Sequence, residues 1–376
     1  MAVSASIPDV SVSKSRLDRL RSTAEAAGAS AVIVTPGSDL HYLLGVGGSS
    51  FERLTALVVP SDAGLGPAFV SPALEFAGLG HLPLADLGVE VRTWVDGEDP
   101  YALALAGLSL DGAVAISDMT PSLHAIRLRD KGARDQVLAG PILRELRMRK
   151  DPAELEQLRL AGAAIDRVHA QVGQWLQPGR TEAQVGAQIA EAIVGEGHAV
   201  VQFVIVASGP NAASPHHSVS DRVIERGDLV VVDIGGSMLS GYNSDSTRTY
   251  AAGLPPVAEV TDAYAALQQA QQSAVDAARP GVTCEAVDEA ARGVLREAGL
   301  AEYFIHRTGH GIGLDVHEEP YIIAGNDLPL EAGMAFSIEP GVYVPGTWGA
   351  RIEDIVAVTA EGALRLNTRP HELLVL

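Results

Sequence analysis

The feature that most constrains the fold is an internal repeat in the C-terminal part of the chain. A Pro-Gly-Xaa-Thr turn precedes an amphipathic segment at Pro178 and again at Pro280, which is 280 − 178 = 102 positions later. Each copy continues into an apolar run that ends in an acid, residues 229–233 in the first copy and 334–339 in the second. This order predicts a domain with pseudo-twofold symmetry and a site where its two halves meet.

Four carboxylates and one imidazole stand at predicted strand ends or tight turns of this repeated region. Burying an ionised carboxylate at the end of an apolar strand is costly unless a positive charge compensates it. Taken alone, each acid has an ordinary structural explanation as a turn residue or an ion-pair partner, but the repeat matches acid to acid. We therefore predict a metal site whose ligands are Asp233, Asp245, His310, Glu339 and Glu353.

This set of ligands indicates the kind of metal and reaction. Carboxylates and an imidazole without a thiolate favour Mn²⁺, Co²⁺ or Zn²⁺ over Cu(I) or an iron–sulfur cluster. Five side chains are too few for two separate complete coordination shells, so some acids are expected to bridge two ions about 3.5–4 Å apart. A water shared by two such ions becomes a nucleophile near neutral pH. The expected reaction is hydrolysis.

The chain length of 376 residues predicts two domains. Short apolar segments between residues 30 and 139 alternate with helix-like stretches and turns, which indicates an α/β domain with a mixed sheet. Asp151 is predicted to cap a helix, with Pro152 in its first turn and Glu154 completing a capping box. An apolar face at helical spacing follows, from Leu155 to Trp175. Domains are expected at 1–150 and 151–376.

Charge and composition exclude several classes of function. The net charge of −20 argues against binding to nucleic acid or an anionic membrane surface, because both need basic patches. The single cysteine, Cys284, permits no intrachain disulfide and has no neighbouring base in the sequence. Residues 1–8 lack the basic start and apolar core of a secretory signal. No apolar run approaches the roughly 18 residues of a membrane span. A cytoplasmic protein is expected.

Six segments in order resemble the pita-bread metallopeptidases that cleave next to proline, the Xaa-Pro dipeptidases (prolidases) and Xaa-Pro aminopeptidases. The N-terminal domain is similar to the creatinase/prolidase N-terminal type, with residues 39–45 as its local signature. The resemblance implies an α+β pita-bread catalytic domain behind an α/β domain that covers the active site and aids dimerisation. The matching segments are residues 233–235, 244–249, 306–313, 316–318, 338–341 and 351–354.

The resemblance also implies roles for individual residues. Asp233 would bind one of two ions per subunit, most simply Mn²⁺, with Co²⁺ or Zn²⁺ as alternatives. His310 and Glu339 would serve the other ion, and Asp245 and Glu353 would bridge both. Glu339 would also move a proton. His317 would act on the tetrahedral intermediate, and His216 or the competing His217 on the leaving nitrogen. His306 and Tyr343 would line the proline side of the cleft. Arg351 would orient the site and pair with a carboxylate, with holding Glu353 and Asp354 in place as its structural alternative.

The expected function is dinuclear hydrolysis of the peptide bond before proline, first of all in Xaa-Pro dipeptides, by a homodimer. An aminopeptidase acting on longer peptides is the nearest alternative, while a metal-free creatinase-like hydrolase and a nonenzymatic binding protein are more remote. One departure concerns the register of the site. The chain between Asp233 and Asp245 carries one residue more than the usual pattern, and a slip of one residue would turn one acid to the other face of the hairpin. A bulge or a longer turn is expected to absorb that residue.

Overall fold

The structure, a computed structural model, describes residues 8–49 and 51–376. The chain forms two compact units, Met1–Arg147 and Met148–Leu376. Residues 1–7, which are most of the segment that lacks the features of a secretory signal, lie outside the described residues. Within the described ranges, no helix is both long enough and apolar enough to cross a membrane.

The first unit is built on one six-stranded mixed sheet, as the sequence predicted. Its elements are α1 (Val10–Ala26), β1 (Ala29–Val34), α2 (Ser38–Leu44), β2 (Ala56–Pro60), β3 (Ala68–Pro72), α3 (Ala73–Phe76), β4 (Glu90–Trp94), α4 (Pro100–Leu105), β5 (Ala113–Ile116), α5 (Ser122–Asp130), β6 (Gln136–Leu138) and α6 (Gly140–Arg147). The strand order is β4-β3-β2-β1-β5-β6. Strand β1 pairs antiparallel with β2 and parallel with β5. Every residue of β2 and β3 is buried, which explains why these strands are apolar without alternation.

The second unit combines four long helices with three sheets. Its elements are α7 (Pro152–His169), α8 (Glu182–Gly195), β7 (His198–Ser208), β8 (Leu229–Met238), β9 (Asn243–Ala251), α9 (Ala258–Ala277), α10 (Cys284–Glu297), β10 (Gly309–Gly311), β11 (Glu318–Ile322), β12 (Ala335–Ile338), β13 (Gly341–Val344), β14 (Trp348–Arg351), β15 (Asp354–Thr359), β16 (Gly362–Arg365) and β17 (Leu374–Val375). The sheets are ordered β17-β9-β8-β7, β11-β10-β12-β15-β16 and β13-β14. This combination of helices and mostly antiparallel sheets agrees with the α+β catalytic domain that the resemblance implies.

The helix starts predicted from the sequence are confirmed by their caps. The Asp151 side chain accepts from the Glu154 amide, and the Glu154 side chain accepts in return from the Asp151 amide. In the two copies of the repeat, Thr181 caps α8 and Thr283 caps α10. The predicted apolar face continues beyond the end of α7. That helix stops at His169, and Val172 lies in a following 3₁₀-helix.

The two halves of the second unit carry matching sheets that meet near their centre. In the first half, α8 packs with β7, β8 and β9, and the core includes Val232 and Ile234. In the second half, α10 packs in one core with strand residues such as Phe336 and Val356. A single antiparallel bridge between Thr247 and Glu353 joins the two sheets. The repeat therefore places the ends of both acidic segments at one seam.

A buried histidine beside this seam makes the stability of the protein sensitive to acid. His169 lies between the Tyr250 hydroxyl and the Ser246 carbonyl oxygen, each 3.1 Å from a ring nitrogen. Burial, reinforced by the positive charge of Arg248, lowers the pKa of His169 to about 3. The folded state thus keeps the ring neutral, whereas the unfolded chain protonates it below a pH of about 6.5. Stability contributed by the neutral ring is lost as the pH falls below that value.

We expect His169→Gln to reduce this loss, because an amide can replace both hydrogen bonds but does not titrate. Between pH 7 and pH 5 the free energy of unfolding of the wild type should fall by about 2 kcal/mol more than that of the variant. Urea unfolding of both proteins at the two pH values measures the difference. Parallel losses in the two proteins would contradict a neutral buried His169.

Candidate active site

A cavity of about 1020 Å³ opens in the second unit, beside the seam between its halves. All of the site residues predicted from the sequence except Tyr343 line it. Its walls are largely apolar and include Phe203, Ile205 and Phe304, which is the usual composition of a small-molecule site. The predicted residues lining it are His216, Asp233, Asp245, His306, His310, His317, Glu339, Arg351 and Glu353.

Asp233 and Asp245 point to the same side of the hairpin formed by β8 and β9. Asp233 pairs with Thr247, and Gly235 pairs with Asp245, in an unbroken register. Because the two acids are diagonal neighbours, their side chains share one face of the sheet. Because this register is unbroken, an extra residue relative to the family pattern would lie in the turn between the strands. The prediction that Asp233 ends its strand was wrong, since β8 continues to Met238, whereas Asp245, expected just after a tight turn, is the third residue of β9.

His310 lies in β10 between two glycines that permit a close approach of other backbone. A side chain at Gly309 would come within 1.8 Å of the Ser337 carbonyl oxygen, and one at Gly311 within 2.3 Å of that of Glu319. The ring Nδ1 of His310 is 3.1 Å from the Gly311 carbonyl oxygen. That oxygen can only accept, so Nδ1 carries the proton and Nε2 presents a lone pair. This lone pair faces Glu339 at 3.3 Å and Asp245 at 3.6 Å.

Glu339 and Glu353 come from the second half of the unit and are each fixed by a hydroxyl group. Glu339 follows β12 directly, and Ser337 donates to its Oε1 at 3.0 Å. Glu353 lies between β14 and β15, and Thr247 donates to its Oε2 at 2.7 Å. The prediction that these two acids stand at strand ends is confirmed. Each half of the repeat therefore supplies two carboxylates to one place.

These side chains form overlapping groups whose oxygen and nitrogen atoms lie within 4.8 Å of one another. One group is Asp233, Asp245 and Glu353, and another is His310, Glu339 and Glu353. A third combines Asp245 and His310 with His317. Asp245, His310 and Glu353 each belong to two groups, so the three groups form one continuous cluster, as expected of a site for neighbouring ions.

The electrostatics of the group fit a bound cation. Burial, together with repulsion from Asp233 and Glu339, holds the pKa of Asp245 well above its ordinary range. Burial, followed by repulsion from Asp245, likewise raises the pKa of Glu353, and burial raises that of Glu339 to about 7. The Asp233 Oδ1 is buried without a hydrogen-bond partner. Clustered acids, an orphaned oxygen and a lone pair directed at anions are all stabilised by positive charge among them.

Arg351 is held by protein groups rather than directed at a ligand. Its guanidinium donates to Asp233 at 2.6 Å, to the Tyr343 hydroxyl at 2.6 Å, to Thr247 at 3.1 Å and to the Pro215 carbonyl oxygen at 3.3 Å. An arginine has five N–H groups, and these contacts use four of them. These contacts give Arg351 a structural role, in which it orients Asp233 rather than Glu353 or Asp354, and they leave one N–H group for the expected substrate carboxylate.

His306 and Tyr343 form a hydrogen-bonded chain that begins at Arg351. The Arg351 guanidinium donates to the Tyr343 oxygen, and the Tyr343 hydroxyl lies 2.8 Å from the Nε2 of His306. The other His306 nitrogen, Nδ1, is 2.7 Å from the Arg307 carbonyl oxygen and so carries the proton. Burial, with the charge of Arg351, lowers the pKa of His306 to about 3. His306 faces the cavity as a neutral ring, while Tyr343 is buried behind it.

The structure separates His216 from His217. His216 lines the cavity, whereas the Nε2 of His217 lies 2.8 Å from a carboxylate oxygen of Glu182. Glu182 is fully buried and also accepts hydrogen bonds from Ser208, Asn211 and Ser220. Burial alone would raise the pKa of Glu182, but these donors together lower it. Sequence reasoning missed Glu182, whose only signal was an acid in the first turn of a predicted helix.

His317 and Cys284 differ in their access to the cavity. The His317 ring lies 4.0 Å from the His310 ring, centroid to centroid, and is exposed on the cavity side. Burial lowers the pKa of His317, which leaves the ring neutral at neutral pH. Cys284 is buried as the first residue of α10, and burial raises the pKa of its thiol to about 11. The thiol is therefore protonated and inert, as the sequence suggested.

Comparison with known proteins adds the family to this geometry. Residues 156–360 match metallopeptidase family M24, and residues 16–148 match the creatinase/prolidase N-terminal domain. A Mycobacterium tuberculosis protein named "Probable dipeptidase PepE" is 58% identical over 368 residues, which cover 98% of this chain and 97% of that protein. A Lactobacillus helveticus Xaa-Pro dipeptidase is 36% identical, covering 92% of this chain and 95% of that one.

Solved structures agree with this relationship. The crystal structure of dipeptidase PepE from Mycobacterium ulcerans superposes with a TM-score of 0.93 at 58% identity and covers 98% of this chain and 99% of that one. The chain belongs to metallopeptidase family M24, with a creatinase/prolidase N-terminal domain and a pita-bread catalytic domain. It is a peptidase, and therefore a hydrolase.

Proposed function

We propose that the protein hydrolyses the peptide bond before proline in Xaa-Pro dipeptides, using two divalent cations held by Asp233, Asp245, His310, Glu339 and Glu353. The observation that carries this proposal is the set of overlapping ligand groups within 4.8 Å at the base of a cavity. The bare Nε2 of His310, which faces two carboxylates, supports a cation between them. Relatives named as dipeptidases and Xaa-Pro dipeptidases support the substrate class.

The five ligands divide naturally between the two ions. Asp233 belongs to one group of donor atoms, and His310 and Glu339 belong to another. Glu353 is common to both, and Asp245 lies beside His310 as well as Asp233. Cations bound there would supply Lewis acidity and a water that ionises near neutral pH. Mn²⁺ is the first candidate, and Co²⁺ and Zn²⁺ suit the same donors.

Protein groups around this centre have the chemistry for the proton transfers. Glu339 is anchored by Ser337 through Oε1 and is suited to accept a proton from the attacking water and hold it. His317 is suited to donate a hydrogen bond to the carbonyl oxygen as negative charge develops on it. His216 is suited to deliver a proton to the imino nitrogen of the leaving proline. His306 presents a neutral ring to the proline side, held by Tyr343.

Metal exchange and a substrate panel test the proposal. After chelation, the protein should lose hydrolysis of alanyl-proline, and added Mn²⁺, Co²⁺ or Zn²⁺ should restore it. The metal-loaded enzyme should cleave Xaa-Pro dipeptides faster than Ala-Pro-Ala, with mass spectrometry resolving the products. Alanyl-alanine serves as the control dipeptide without proline. Faster cleavage of the tripeptide would favour the aminopeptidase, and full activity after chelation would favour a metal-free hydrolase.

The rest of the proposal concerns the whole chain. Following the family resemblance, residues 1–150 would cover an active site and aid formation of a homodimer, with 151–376 as the catalytic domain. The acidic charge of −20 supports a small peptide, rather than nucleic acid or a membrane, as the ligand. A cytoplasmic location is consistent with a single, buried cysteine.

A further inference from the structure

Three arginines line the cavity, and two of them are already engaged by protein acceptors. Arg351 uses four of its five N–H groups on Asp233, Tyr343, Thr247 and Pro215. Arg292 donates to Asp288 at 2.6 Å and to the backbone carbonyl oxygens of Phe304 and His306. Of their five N–H groups each, Arg351 has one left and Arg292 has two, one on each of its terminal nitrogens.

Arg307 is the third, and its guanidinium lacks a protein acceptor within residues 8–49 and 51–376. Its guanidinium carbon lies 4.5 Å from the centre of the Tyr321 ring, a cation–π contact that holds the charge in place without using its N–H groups. The side chain is half-buried and lines the cavity. A guanidinium at a cavity wall whose N–H groups have no acceptor is suited to bind an anionic group of a ligand.

We propose that Arg307 binds the free α-carboxylate of the dipeptide and thereby selects dipeptides over longer peptides, an inference that rests on the proposed function. The guanidinium matches a carboxylate with two parallel N–H···O hydrogen bonds. A dipeptide carries this carboxylate on the proline itself. In a longer peptide the same position is an uncharged amide, which leaves the arginine unpaired.

The chain around Arg307 places this anchor next to the reacting bond. Arg307 follows His306, which faces the proline side of the cavity, and precedes His310 by three residues. Three residues span at most about 11 Å, which keeps the backbones of Arg307 and His310 within about the length of a small peptide, and both side chains line the same cavity. The Asp288 side chain accepts from the Thr308 amide at 3.1 Å and from Arg292, which fixes the backbone on either side of Arg307.

The test compares Arg307→Gln with the wild type on alanyl-proline and on alanyl-prolinamide, which lacks the charge. We expect kcat/KM for alanyl-proline to fall about 100-fold in the variant, the size of a lost charge-assisted pair, mainly through a higher KM. The wild type should show a similar preference for the acid over the amide. On the amide, the variant and the wild type should agree within about 3-fold. Arg307→Lys should keep part of the preference, because it retains charge without the fork.

Arg296→Gln is the matched control, because Arg296 is an exposed arginine of α10 whose partner is Glu289. It should leave both substrates unaffected. Equal losses on the acid and the amide, or no loss on either, would overturn the assignment of Arg307. Should Arg307→Gln fail to fold, an unchanged acid-to-amide ratio in Arg307→Lys would overturn it equally. Failure of the proposed function has a separate signature, since the wild type itself would then not cleave alanyl-proline.

Discussion

Glu339→Gln is expected to lower kcat for an Xaa-Pro dipeptide by about 10³-fold while the protein stays folded. The substitution keeps the size of the side chain but removes the carboxylate that would hold one ion and accept a proton. Burial raises the pKa of Glu339 to about 7, so replacing it with a neutral amide relieves a cost of folding in the metal-free protein. The thermal midpoint of the metal-free variant should therefore equal or exceed that of the wild type.

Steady-state kinetics with saturating metal, metal content by mass spectrometry and a thermal scan together make this measurement. The control is Glu331→Gln, since Glu331 is a half-exposed acid of the same unit whose partner is Arg149 at 2.6 Å. That variant should retain its rate, and its stability should change by no more than about 1 kcal/mol. A Glu339→Gln enzyme with the wild-type kcat would refute the role given to this residue.

Glu182→Ala is expected to destabilise the protein by about 3–5 kcal/mol, because removing one member of a buried charged network leaves its partners unsatisfied. The Glu182 carboxylate accepts from Ser208 at the end of β7 and from Asn211, His217 and Ser220 on the segment between β7 and β8. The same segment carries His216 and the Pro215 carbonyl oxygen that holds Arg351. We therefore also expect kcat/KM to fall by about 100-fold at temperatures where the variant is folded.

The internal repeat provides the control for this prediction. Glu285 is an exposed acid in the first turn of α10, the helix that corresponds to α8. Glu285→Ala should cost less than about 1 kcal/mol, since it removes only a favourable interaction with the helix dipole. Calorimetry and kinetics on both variants separate the buried network from a general effect of losing a helix-terminal acid. Similar losses in the two variants would show that Glu182 does not position this segment.

Local rules accounted for the parts of the fold that depend on residues close together in the chain. The capping box of Asp151 and the threonine caps of α8 and α10 need only a few neighbouring residues. The extent of β8 could not be read in this way, because Gly235 and Gly236 weaken a strand pattern and often mark a bulge or a bend. Here β8 continues through them, and they permit close packing, since a side chain at Gly235 would meet the Phe203 ring at 2.5 Å.

For the site as well, the sequence predicted what depends on local patterns and missed what depends on residues distant in the chain. The repeat matched Asp233 to Glu339 and Asp245 to Glu353, and the structure brings these acids together. The engagement of Arg351 depends on Asp233, which is 118 positions away, and the role of His217 depends on Glu182, 35 positions away. Arg307 stands out only after the acceptors of the other two arginines are known. Distances across a folded cavity decide such assignments, and spacing along one sequence does not contain them.

The bridge between Thr247 and Glu353 links cation binding at the site to the stability of the folded protein. Glu353 receives the Thr247 hydroxyl at 2.7 Å, and its amide donates to the Thr247 carbonyl oxygen at 3.1 Å. The same side chain stands among acids from both sheets, whose mutual repulsion a cation would cancel. Any cation bound there would cross-link the two sheets through their carboxylates and would stabilise the folded chain by mass action. When metal is scarce, the protein would therefore lose stability as well as activity, and it would unfold and be degraded more readily.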